Sequence, residues 1–268
     1  RFVVYDKGQA SNMYLSLNWE RVDLGFDDQD TRRALSLAID REELVRKALL
    51  GHGAATWGPL PPGSEHYDAS VDEGGRHDPA LARRRLARLG WIEDGDGIRS
   101  RNGIRLSFEC AVQRDPVFEA VAALVSQQLR AVGVELRIQT EMPFAEFYDA
   151  CARGPASSIS KWLWQDPLDA LIGFSSSSTS PFPNWSRASV PRLDGLFGEW
   201  LRAESDEDQI KVASKVQHVF AETLPYIPLL SPNDVWAWSS QVAGFHPSID
   251  VLYPLYSGVT VTAGVHAR

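Results

Sequence analysis

Residues 104 to 140 constrain the fold more than any other stretch of the chain. IRLSFECAV (104–112) alternates, setting Ile104, Leu106, Phe108 and Cys110 on one face of a strand. PVFEAVAALVSQQLRAVG (116–133) follows with the spacing of an amphipathic helix, and VELRIQT (134–140) alternates again. Strand, helix and strand in this order make a βαβ unit, so the two strands are expected to be parallel, with a right-handed crossover. FAEFYDACARG (144–154) then reads as a further helix leading into SSISKWLW (157–164). The expected class is an α/β lobe.

In SSISKWLW a period of two sets Ser160, Trp162 and Trp164 on one face and Ile159, Lys161 and Leu163 on the other. Asp166 emerges near the tryptophans at the strand's carboxyl end, where open α/β sheets bind ligands. Two readings of the tryptophans stand side by side. They pack a core, or they wall a half-wet pocket in which the indole N–H finds a partner.

The remaining chain is punctuated by helix signals. FDDQDTRRALSLAI (26–39) opens at Asp27 or Asp28, and Asp40 with Glu43 offers a capping-box start for a helix ending at Gly51. Residues 52–77 read as a long loop. In HDPALARRRLARLG (77–90), Asp78 is the N-cap, Pro79 the first helical residue, Leu81, Leu86 and Leu89 the buried side and Gly90 the stop. DGDG and RNG bracket Ile98 in a hairpin. FSSSSTSPFPNWSRASVP (174–191) is Ser/Pro-rich and reads as a flexible wall, because helical patterns resume at 191–203 and 206–224. Beyond Pro225 come short β-like pieces, YIPLL, VWAW and VLYPLY.

Composition narrows function. The 268 residues, 44% apolar, suffice for a sizeable core. A net charge of −8 and a pI near 5.3, with no run of Lys and Arg, argue against a nucleic-acid partner and leave a cationic or zwitterionic ligand open. No apolar stretch reaches the roughly 18–20 residues of a membrane span. The opening RFVVYDKGQ lacks the apolar region of a signal peptide, and a start at Arg1 suggests a fragment. Cys110 and Cys151 stand in unrelated contexts and read as free core thiols.

Enzyme signals are thin. The six histidines form no close pair with metal-ligand spacing, and GxSxG and P-loop motifs are absent, so no cofactor or metal is expected. GHGAATWG (51–58) lacks the GxGxxG spacing, and Asp27, Asp28 and Asp30 sit where acidic residues cap a helix. Asp166 with a second carboxylate such as Asp169 leaves a carbohydrate-active hydrolase as the alternative to a binding protein. A docking or chaperone module is a third reading.

YLSLN (14–18), GFDDQDTRRALSLAIDREELVRKALLGHG (25–53), GPLPPGSEHYD (58–68), HDPALARRRLARLGW (77–91) and NWSRASVPRLD (184–194) resemble, in order and spacing, the family 5 solute-binding proteins of ABC transporters. YIPLLSPNDVWAW (226–238) is similar to the family's closing segment. The resemblance implies the carboxyl-terminal half of a two-lobed, type II periplasmic-binding-protein-like fold. Residues 1–18 would come in from an N-terminal lobe of the same chain, 19–231 would form the α/β ligand-binding lobe, and 232–268 would return as a β-rich segment. It implies a periplasmic or extracellular protein that delivers a short peptide or other small polar solute to a membrane permease, without catalysis.

In the family's dipeptide-binding members a Gly-Trp strand leads to an Asp that holds the ligand amine, and a Gln-Arg supplies an Arg for its carboxylate. Here Trp162 and Gln113-Arg114 are similar to those motifs. The run after the Trp is shorter by about two residues. It places Trp164 and Gln165 near the amine anchor, and Asp166 matches the later Asp-Pro instead. The ligand set implied is Gln113, Arg114, Trp162, Trp164, Gln165 and Asp166.

Overall fold

The computed structural model describes residues 1–8, 11–64, 66–74, 76–163, 167–247, 256 and 258–262. Two strands open the chain, β1 (Phe2–Gly8) and β2 (Ser11–Leu17). Of the two aspartates available, Asp28 caps α1 (Gln29–Leu37), accepting from the backbone N–H of Asp30. Asp40 caps α2 (Arg41–Ala48) through the N–H of Glu43. The segment read as loop holds β3 (Gly53–Ala55) and a 3-10 turn over Ala69–Gly74. Asp78 caps α3 (Pro79–Arg88) as its sequence dictates, its carboxylate 2.7 Å from the N–H of Leu81.

Three short strands, β4 (Ile92–Glu93), β5 (Arg99–Arg101) and β6 (Ile104–Arg105), make a small antiparallel sheet over a buried Ile98. Ile104 therefore leaves the expected buried face and is 39% exposed. The buried alternation starts at Leu106, whose N–H donates to Arg99 and whose carbonyl accepts from Glu135. It continues through β7 (Ser107–Gln113), after which Asp115 caps α4 (Pro116–Arg130) and β8 (Glu135–Met142) returns parallel to β7. α5 (Phe144–Arg153) leads to β9 (Ser157–Leu163), also parallel to β7. The chain then runs through α6 (Pro167–Ser175), α7 (Pro191–Trp200) and α8 (Asp206–Thr223). It closes with β10 (Ile227–Ser239), β11 (Val242–Ala243) and β12 (Thr260–Val261).

The main sheet runs β1-β10-β2-β9-β7-β8, with β3 also paired to β10. It is mixed, because β2 is antiparallel to both β9 and β10. Strand alternation sorts its side chains onto two faces. Met13, Leu15, Phe108, Cys110, Val112 and Ile159 join the core under α1–α4. Tyr14, Ala111 and Trp162 join a second core under α5–α8. Cys110 and Cys151 fall in different cores and are free thiols, each pushed up to about 12 by burial.

Two buried arginines tie the first helices to the chain's later part. Arg32, stacked 3.8 Å over Trp19, donates to the carbonyls of Phe26, Thr223 and Leu224. Arg41 donates to the carbonyls of Pro228 and Ser36 and to the Ser36 hydroxyl. β2, expected to belong to an incoming segment over 1–18, is buried along its whole length between β9 and β10. YIPLL and VWAW, read as separate pieces, are one continuous strand.

Candidate ligand-binding site

Because β7, β8 and β9 are parallel, their carboxyl ends share one edge of the sheet. Gln113 ends β7 half-buried, and Arg114 follows it exposed. The backbone N–H of Arg114 donates to the Met142 carbonyl at 2.9 Å and its Nη2 to the Glu141 carbonyl at 3.2 Å, so the guanidinium lies along the end of β8. Its other donors make no hydrogen bond among the described residues.

The period of two in β9 holds, but its consequence for Trp162 does not. The ring is 1% exposed, within the core under α5–α8, and its indole N–H donates to Tyr226 Oη at 3.3 Å. The polar handle that argued for a half-wet pocket is satisfied inside the protein, by a tyrosine at the start of the closing segment. Trp162 is thus a core residue, and the pocket-wall role expected for it is corrected. Trp164, Gln165 and Asp166 lie outside the described residues, as does the side chain of Asp169, so the carboxylate pair weighed for a hydrolase falls there too.

Two features flank this edge. On the side of α5 an aromatic ledge forms: Tyr148 sits 4.6 Å from Phe144, 5.6 Å from Phe182 and 5.4 Å from Trp185, ring centre to ring centre. Phe144 and Phe182 are 59% and 55% exposed. The Ser/Pro-rich segment carrying Phe182 is pinned rather than loose. Asp194 accepts from the hydroxyls of Ser176 and Ser177, and Asn184 donates to the carbonyls of Ser176 and Ala188.

On the side of α4 a concavity of about 390 Å3 opens between the end of α2, the start of α4 and the middle of β10. Its walls include Leu49, His52, Asp115, Phe118, Lys161 and Asp234. Lys161 is solvent-accessible yet ringed by protein, as a position on a concave wall requires. Loss of surrounding water pushes its ammonium pKa down, against the opposing pull of Asp115 and Asp234. Sequence reasoning placed Lys161 on the correct face of β9 and passed over it. The available signal was a lone cation in an otherwise apolar and serine-rich strand.

Beside the concavity, β1 and the distal part of β10 form a two-stranded ribbon. His52 Nδ1 lies 2.7 Å from Asp6 Oδ2, and Asn233 Nδ2 donates to Asp6 Oδ1 at 2.6 Å. These bonds, Asn233 first, hold the Asp6 carboxyl below its usual range. Among the described residues no three His, Cys, Asp or Glu side chains gather to hold a metal ion.

Residues 1–183 match the sequence model for the middle part of the bacterial extracellular solute-binding proteins, family 5. The oligopeptide-binding protein AppA of Bacillus subtilis (strain 168) is 28% identical over 252 residues, 89% of this chain and 45% of that protein. The glutathione-binding protein GsiB of Salmonella typhimurium is 24% identical over 242 residues, 87% of this chain and 44% of that protein. The chain spans about half the length of the curated relatives it matches. Among solved structures, AppA from Bacillus subtilis in complex with a nonapeptide superposes with a TM-score of 0.84 at 23% identity, covering 93% of this chain and 50% of that one. A dipeptide binding protein from Pseudoalteromonas sp. SM9913 in complex with Met-Leu gives a TM-score of 0.80 at 20% identity, covering 97% and 50%. These superpositions bear on the fold.

Proposed function

This chain belongs to the bacterial extracellular solute-binding proteins of family 5, and on that premise we propose that it is one lobe of the binding component of an ABC importer. It captures a short peptide or other small polar solute against the carboxyl edge of its sheet, a second lobe of the same protein closes over that edge, and the complex delivers its solute to a membrane permease. The observation that carries this reading is the edge itself. An exposed Arg114 with unused donors, an aromatic ledge and a concavity gather there, beside a ribbon that extends out of the sheet.

Within that reading Arg114 takes the ligand carboxylate, with Gln113 beside it, because a guanidinium offers a planar fork matched to a carboxylate. Trp164, Gln165 and Asp166, directly after β9, take the rest of the ligand. Trp162 supports them from the core behind. The relatives' names, an oligopeptide-binding and a glutathione-binding protein, favour peptide-like solutes over sugars. The family is one of binding proteins, and no observation favours the hydrolase.

The test is a thermal-shift titration with trialanine and trialanine amide. A ligand that prefers the folded state raises Tm by mass action. Trialanine should raise it more than the amide, and Arg114→Ala should erase that difference. Equal shifts for both probes, unchanged in Arg114→Ala, would overturn the role given to Arg114. Turnover of any peptide or glycoside would overturn the binding reading.

A further inference from the structure

We propose that the concavity around Lys161 is a subsite for a small zwitterion: its carboxylate meets the Lys161 ammonium, its ammonium meets Asp234 and Asp115, and its aliphatic part lies on Leu49 and Phe118. The proposal rests on the solute-binding reading and adds a ligand class and a set of residues to it.

Three observations lead there. First, Lys161 makes no hydrogen bond and no ion pair within 4.0 Å among the described residues, although Asp115 and Asp234 are near enough to act on its charge. A partly desolvated lysine that shares a concavity with two carboxylates it does not touch leaves room for a bridging group. Second, both carboxylates are half used. Asp115 accepts the Val117 and Phe118 N–H groups through Oδ1 alone, and Asp234 accepts the Trp236 indole N–H through Oδ2 alone. Among the described residues the second oxygen of each accepts no hydrogen bond. Third, about 390 Å3 lies near the lower end of small-molecule pockets, roughly 300–1,000 Å3, and matches a single amino acid better than a long peptide.

The charge order selects the ligand class. With Lys161 protonated, the three groups carry −1 in total, one cation between two anions. A simple anion meets Lys161 and is repelled by two carboxylates, and a simple cation meets the reverse. A zwitterion places each of its charges opposite an unlike one, and the apolar wall accepts its side chain. His52 Nδ1 and Asn233 Nδ2, on the same wall, are engaged with Asp6.

The probes are L-valine, N-acetyl-L-valine and L-valinamide, which carry both charges, the anion alone and the cation alone. They are titrated into 15N-labelled protein while amide shifts at Lys161, Asp115 and Asp234 are followed, a readout that registers millimolar binding. Valine is expected to bind at least tenfold tighter than either derivative. Lys161→Met should abolish this preference, Lys161→Arg should keep most of it, and Asp234→Asn should weaken valine while sparing N-acetylvaline. Equal binding of valine and either derivative, or no shift at these amides with valine, overturns the subsite. Trialanine run in parallel separates the two claims. If trialanine binds while valine does not, the subsite fails and the importer reading stands. If valine shifts these amides while no peptide binds, the peptide reading fails and the subsite stands.

Discussion

One strand, β10, belongs to two regions that obey different rules. Ile227–Ser231 is buried throughout, paired to β2 and β3 with helices on both faces of the sheet. Asn233–Ser239 pairs with β1 along the ribbon and is half-exposed, opposite Phe2, Val3 and Val4, which are also exposed. The sequence differs accordingly. YIPLL is apolar without alternation, as a strand covered on two faces must be, whereas NDVWAWS mixes polar and aromatic residues. Regular pairing is therefore no guide to where stability comes from. In the first region it is set by burial on both faces, and in the second by backbone pairing, a few polar ties and the packing of Trp236 and Trp238 on Phe245.

The largest contrast should appear on truncating one apolar side chain in the buried sheet and one on the ribbon. Trp162→Ala deletes a fully buried indole and its bond to Tyr226, and should cost about 3–5 kcal/mol in urea unfolding. Val235→Ser on the ribbon should stay within about 0.5 kcal/mol. Comparable losses would mean that the ribbon is part of the cooperative core.

A second contrast concerns the buried arginines. Arg41→Met removes the side-chain donors to the Pro228 carbonyl and the Ser36 hydroxyl at the corner where β10 enters the sheet, and should cost about 2–4 kcal/mol in the same assay. Smaller still, Asp115→Ala removes the cap of α4 and should lower stability by about 1 kcal/mol.

The smallest effect is a pH response confined to the ribbon. The bonds from Asn233 and His52 lower the Asp6 pKa in the folded protein, so they contribute stability above the ordinary carboxylate range that is lost as pH falls through the lowered value. Amide protection factors, which correct for the intrinsic slowing of exchange in acid, should fall at Lys7 and Asn233 on acidification before they fall at Leu15. Asp6→Asn should remove that response.

Much of the buried region was legible because its rules are local. Asp78-Pro79 sets the start of α3, Asp40 caps α2 through Glu43, and the alternation in 106–112 and 157–163 assigned faces correctly. The errors came from long-range partners. Ile104 pairs with Arg101 in the small sheet, and the burial of Trp162 depends on α7, α8 and Tyr226, which are distant in sequence. Arg32 and Arg41 are satisfied by carbonyls nearly two hundred residues later, which no local pattern announces. The exposed position of Arg114 at the end of β7 was legible from its place after a strand. Lys161 was not, since a concavity made by α2, α4 and β10 has no pattern in one dimension.

The central claim is that this chain supplies one side of a two-sided site, and calorimetric titration of one peptide decides it. Trialanine is titrated into the 268-residue chain alone and into the two-lobed protein proposed to contain it. If the second side contributes about 4 kcal/mol, the chain alone should bind about a thousandfold more weakly. Equal affinities would place the whole site within this lobe and contradict the account.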